Sequence, residues 1–449
     1  MYDICDSDIA TTSPEALADW NAMVLAFLAH GTETPTHLGS LLTRQPDLAI
    51  AQAAKGLFSM LMGRRELVAT AAEAHTLALA AGPVDLRARG WTDALGHWLA
   101  GSPTRAIAAL EAVLGANPRD TMTMKVIHAI RFVLGDATGM RASVERALPH
   151  HDDTHACRGY ALGCHAFALE ETGDYDAAER AGRAGLQLAT DDAWGLHAVA
   201  HVYDMTARSK EGIRLIADND GAWMHCNNFR YHVWWHKALL HLDLGDIAEV
   251  LSLYDQKIRA DKTDDYRDIA NATSLLMRLE LEGVDVGGRW DELAAFSEAR
   301  SGDGCLVFAD LHYVLALTGA GKEDAARTMV ARVRREAGTE TDMGQIFDDP
   351  GQAAAHGLAA FGEGCYDTAF RALASARPKM PTVGGSHAQR DVFERMTVDA
   401  GLRAGYLDET ETILNDRLAR RAGQADTFTE TRLAQIDAAR REPVAIPAQ

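Results

Sequence analysis

The sequence predicts an all-α protein: an α-solenoid of about ten helix–turn–helix repeats. Three observations predict it. Glycine-marked turns recur at steps of 34 to 43 residues, apolar residues between them follow helical spacing, and proline is scarce, at 12 in 449 residues. Runs that alternate apolar and polar residues, bounded by turn signals, are absent, so no strand pattern competes.

The first helix has a clear start. Ser13 can cap it, Pro14 suits the first helical position and Glu15 favours its positive end; the apolar spacing of ALADWNAMVLAFLAH stops at Gly31. Turns then follow at Gly63, Gly101, Gly135, Gly173, Gly245, Gly283, Gly319, Gly362 and Gly405. One gap, from Gly173 to Gly245, spans two repeats, and its missing turn falls at Ala207–Lys210. Most second helices open with acidic and alanine residues, as in GDYDAAERAGRAGL. A mid-thirties period with two helices per unit marks a tetratricopeptide-type array, in which each hairpin buries its apolar faces against its neighbours. No polar linker divides the chain, so residues 1–440 are expected to form one continuous superhelical array curled around a central cavity. The tail 441–449, REPVAIPAQ, is expected to fray.

Composition narrows the function. With 44 Lys plus Arg against 64 Asp plus Glu, the formal charge is −20, which disfavours nucleic acid as a partner. The start, MYDICDSDIATTSPEAL, lacks a basic region followed by an apolar core, and no apolar run is long enough to cross a bilayer. The six cysteines are scattered without a CxxC pair, the pattern of reduced thiols in a cytoplasmic protein.

The densest chemistry lies in Asp192–Gly245. His197 and His201 are four residues apart, as are His232 and His236, and the two pairs are offset by 35 residues, one repeat. Residues at i and i+4 share a helix face, so the four imidazoles are expected side by side in adjacent repeats. Such a cluster could hold a divalent metal such as zinc, with a further ligand from Asp204, Asp310 or the second pair, or it could do acid–base chemistry without metal. The first pair encloses Ala198-Val199-Ala200, so it lacks the glutamate of an HExxH motif. Asp310 and His312 from a later repeat are expected to arch over the cluster. His128, His165 and His312 recur at one phase of their first helices, although single histidines there fit packing equally well. Trp194, Trp223, Trp234 and Trp235 crowd the same region of a chain with 8 tryptophans; Trp194 and Trp235 are candidates for a ligand-binding wall. In PTVGGSHAQRD, Ser386 and Gln389 have capping-box spacing, so a helix is expected to start at His387. Ser386, Arg390 and Asp391 are candidate ligand contacts, with structural ion pairing as the alternative for the last two.

The segments LHAVAHVYDM, HVWWHKALLHLDLGDIAEVLSLYD, RDIANATSLLMRLELEG, FADLHYVLAL and VGGSHAQRDVF together resemble the tetratricopeptide repeat protein 38 family, over a span from about Asp47 to about Gly405. Where that family's pattern resembles H-N-x-W-H, this chain has Val233, so no asparagine role carries over to that position. The resemblance implies a tetratricopeptide-like fold and brings no settled activity.

Two functions stay open on the sequence. One is a cytoplasmic binder of a small molecule in a His/Trp-rich pocket, or an enzyme that turns it over by hydrolysis or another proton-transfer reaction. The other is a non-catalytic scaffold holding a peptide or protein in its groove. A histidine- and tryptophan-rich groove centre favours the first. A homo-oligomer stays open as well.

Overall fold

The structure, a computed structural model, describes residues 1–441. Among them are 24 α-helices and two isolated β-bridges, Tyr2 with Asp8 and Gly31 with Cys226, but no strand. The first helices of successive hairpins begin at Pro14, Ala49, Leu86, Thr121, Arg158, Ala193, Phe229, Tyr266, Val307, Gln352 and His387. That makes eleven hairpins, and the helix Thr427–Arg441 closes the array. Most starts are 35 to 37 residues apart. The spacing stretches only around Val307–Glu336, where a turn precedes the hairpin and a short helix, Asp342–Ile346, follows it. The expected tail lies outside the described residues, apart from Arg441, which ends the last helix.

Local chemistry sets the helix starts. The side chains of Ser13, Asp85, Asp120, Asp136, Asp265 and Ser386 each accept a backbone N–H at their own N-cap. Turn glycines take positive φ, as at Gly135 and Gly245, a backbone conformation that residues with a side chain rarely adopt. The turn without glycine is where the sequence places it, and Ala207 adopts φ 55° there. Two turn assignments shift by two residues: Gly319 and Gly362 end their helices, and Gly321 and Gly364 make the left-handed turns. Gly319 is small for another reason, because a Cβ there would lie 2.6 Å from the Trp290 ring.

The superhelix winds onto itself. Turns of the early hairpins touch connections of the late ones: Arg64 pairs with Asp264 at 2.8 Å, and Thr104 Oγ1 donates to Asp342 at 2.6 Å. Beyond them, Gly135 abuts Pro381, and Arg421 pairs with Asp204 at 3.1 Å. This closure leaves the central first helices no solvent side. In Ala193–Met205 every residue but Asp204 is buried, and such all-round burial is what its nearly uniform apolar sequence requires.

Candidate metal centre

Ala193–Met205 carries His197 and His201 on one face, and the neighbouring Phe229–Asp243 carries His232 and His236. The one-repeat offset sets the two pairs against each other. Nε2 of His197 lies 2.8 Å from Nε2 of His201 and 3.0 Å from Nε2 of His232, which lies 3.1 Å from Nε2 of His236. One nitrogen from each ring falls within 4.8 Å of the other three. A tetrahedral zinc with Zn–N bonds of about 2.0–2.1 Å separates its ligand nitrogens by about 3.3–3.4 Å, so small outward movements would admit the ion.

The protons fit the same picture. His232 Nδ1 lies 2.9 Å from Asn271 Oδ1, which can only accept, so the ring keeps its proton on Nδ1 and turns a bare Nε2 to the centre. His201 Nδ1 lies 3.5 Å from Glu170 Oε2, a carboxylate behind an imidazole. Without a cation, three N···N contacts must share too few protons, and His197 Nδ1 has no hydrogen-bond partner. Burial pulls His197, His201 and His236 well below the ordinary imidazole pKa, helped by their neighbouring rings; burial takes His232 down to about 4, against the Asn271 hydrogen bond. At neutral pH all four rings therefore carry free lone pairs, and no proton competes for the site.

A charged layer lies behind His201. His387, at the start of His387–Ala404, contacts Glu170 through Nε2, and its backbone N–H donates to Glu171 Oε1 at 2.8 Å. Glu170, Glu171, His201 and His387 also form a group with ligand-like spacing. His201 belongs to both groups through opposite nitrogens: Nε2 faces His197, and Nδ1 faces His387 at 3.4 Å. Burial lowers the His387 pKa, but the two carboxylates outweigh it and raise the group to about 9; burial pushes Glu170 up to about 7 against the pull of His387. An ion pair already fills this second group, so it reads as support for His201.

Two cavities flank the cluster. His197 and His232 line one of about 550 Å³, walled by Trp194, Phe229 and Phe308. His387 lines the other, of about 590 Å³, where arginines and carboxylates alternate.

The structure brings Trp194 and Trp235 to the site. The Trp194 ring centre is 5.1 Å from that of His197, and Trp235 stacks on His232 at 5.2 Å. Six other expected site residues are placed elsewhere. Asp310 pairs with Arg332 at 2.6 Å, and His312 Nδ1 donates to the Phe308 carbonyl while its ring packs on Phe393. Neither belongs to the four-ring group. Asp204, a ligand candidate, is held by Arg421. Ser386 and Gln389 form the expected capping box, whereas Arg390 donates to the carbonyls of Gly384 and Gly385, and Asp391 is bound by Arg395 and Arg417. These three serve the helix start and its ion pairs, since each already has its partner inside the protein.

Glu170, Glu171, Asn271 and Lys125, the last lining the 550 Å³ cavity, escaped the sequence reading. Only Asn271, an amide in the largely apolar segment IANATSLLM, left a usable signal.

No family model matches the chain. Human IFIT1, solved as a dimer with PPP-AAAA, aligns at 12% identity over 88% of this chain and 90% of its own, with a TM-score of 0.42. Yeast Tom70 aligns at 12% identity over 94% and 87%, with a TM-score of 0.36, and the TPR domain of P58(IPK) at 14% over 87% and 99%, with a TM-score of 0.23. Likeness this distant carries no argument about function.

Proposed function

We propose that the protein is a metal-dependent enzyme of hydrolytic type, acting on a small molecule held in the 550 Å³ cavity. The observation that carries this reading is the convergence of four buried imidazole nitrogens. A bound zinc-type ion would supply a Lewis acid and a water whose pKa falls to about 7. The chain's own residues do the rest. His197, His201, His232 and His236 are the ligands, Asn271 and Glu170 orient two of them, and the aromatic wall excludes water around the reacting bond. His197 and His232 face the cavity, so a substrate would meet the centre from that side. His387 and Glu170 hold a proton at the back of His201 and can deliver or accept it near neutrality.

Membership of the tetratricopeptide repeat protein 38 family and a cytoplasmic location belong to the same proposal. Among the described residues no helix is long and apolar enough to cross a membrane. The alternative, a groove that holds a peptide or partner protein, finds less support, because the late hairpins close over the central helices that an open groove would expose.

The reading is tested by screening zinc-, iron- and manganese-loaded protein against small esters and amides. A turnover at least about 100-fold faster in wild type than in His236→Ala supports it. Equal rates in both proteins would argue for the scaffold.

A further inference from the structure

Resting on the enzyme reading just given, we propose that the cavity beside the histidines takes a substrate with a carboxylate on an apolar body, and that Lys125 binds the carboxylate. The chain carries a formal charge of −20, yet no Asp or Glu lines this cavity; its charged lining residues are Lys55, Lys125 and Arg267. Chance placement in so acidic a protein would bring carboxylates to a surface of this size. Their exclusion leaves a positive interior that attracts an anion.

Lys125 is the residue that needs one. It is 4% exposed, on Thr121–Val133, and its ammonium sits 4.5 Å above the Trp194 ring. Among the described residues the one lysine held in an ion pair is Lys379, to Asp349. The Asp192 carboxyl feels the Lys125 charge without pairing with it, and the Cys164 thiol offers the ammonium a weak hydrogen-bond contact. A buried ammonium with three donors, supported by an aromatic face and a thiol but by no carboxylate, keeps hydrogen-bonding capacity for a ligand. Arg267 is less available, because Asp265 holds its guanidinium at 2.7 Å.

The rest of the cavity has the opposite character. Phe27, Phe58, Phe132, Trp194, Phe229 and Phe308 give it broad apolar walls. A fully ionic ligand would leave these walls against water, and a purely apolar one would leave Lys125 unpaired. The geometry also orders the two ends. Trp194 touches both Lys125 and His197, so a carboxylate on Lys125 lies one indole away from the imidazole cluster. The bond presented to the centre is therefore close to the carboxylate, and the apolar body extends towards Phe27 and Phe58.

Calorimetric titration tests this with decanoate, decan-1-ol and decyl phosphate, on wild type, Lys125→Met and Lys125→Arg, each after chelation and again with zinc. Wild type is expected to bind decanoate at least about 10-fold more tightly than decan-1-ol. Lys125→Met should erase that ratio while leaving decan-1-ol binding unchanged, and Lys125→Arg should restore most of it. Unchanged decan-1-ol binding also shows that the variant cavity is folded. The same ratio in Lys125→Met, or no binding of decanoate, overturns the proposal. Tighter binding of decyl phosphate than of decanoate overturns the carboxylate assignment in favour of a phosphate head. The chelated samples separate the two readings: failure of zinc to bind removes the metal centre without touching the Lys125 result.

Discussion

His232 keeps its proton on Nδ1 because Asn271 Oδ1 lies 2.9 Å away, and that choice leaves its inward nitrogen bare. Replacing Asn271 with Ala should therefore weaken zinc binding about 10- to 100-fold in a chelator competition while the fold is retained; unaltered affinity would mean that the ring needs no such orientation. The buried imidazoles also make stability depend on pH. His128 and the four-ring cluster lie below the ordinary imidazole pKa, with His151 and His312 at about 4. Their folded pKa values are lower than in the unfolded chain, so the unfolded state takes up protons first as the pH falls below about 6.5. The stability they contribute is complete above that pH and is lost towards pH 4, by up to about 1.4 kcal/mol per ring and pH unit. His387, raised to about 9, has the opposite sign: its contribution is present below about 6.5 and is lost as the pH rises through 9. Burial raises Glu170 and Asp192 to about 7 and Asp268 and Asp310 to about 6, which works the other way, but the lowered rings outnumber these four carboxyls, so thermal unfolding of the metal-free protein should show a falling Tm from pH 7 to pH 5. A flat or rising Tm over that range would contradict the burial of neutral rings.

The helices were legible in the sequence because their signals are local. Ser13 and Ser386 cap through their own backbone neighbours, and turn glycines mark a period that needs no tertiary knowledge. The i,i+4 spacing with a one-repeat offset led to the four rings for the same reason, since adjacent repeats repeat one geometry. What stayed hidden depends on contacts across the superhelix. Glu170 reaches His387 over 217 residues of chain, and Arg332 captures Asp310 by a packing choice that spacing does not encode. Arg390 and Asp391 looked available because their partners, Gly385 and Arg417, are set by how the glycine turn folds and how the last hairpins dock. Gly319 was misplaced as a turn because close approach to Trp290 and left-handed backbone both select glycine.

At the scale of the molecule, winding turns a repeat array into a closed body. The accessible surface is 17527 Å², near the value of about 16,600 Å² for a compact monomer of 48.6 kDa. An open superhelix would expose far more. Solution scattering is accordingly expected to give a radius of gyration of about 22 Å, and a substantially larger value would mean that the late hairpins do not close on the early ones. Closure gives the histidines their surroundings: it buries Ala193–Met205 on all sides and sets His387 behind His201. It also separates the apolar cavity from the charged one, with the four rings between them.

The central claim is the four-histidine metal centre, and elemental analysis of untagged protein tests it most directly. Wild type and the double variant His232→Ala/His236→Ala would be purified side by side, with circular dichroism confirming that both are folded. The account expects close to one zinc, iron or manganese per chain in wild type and loss of that metal in the variant. Metal-free wild type that also takes up no added zinc, iron or manganese would contradict it, and the four rings would then be a packing arrangement.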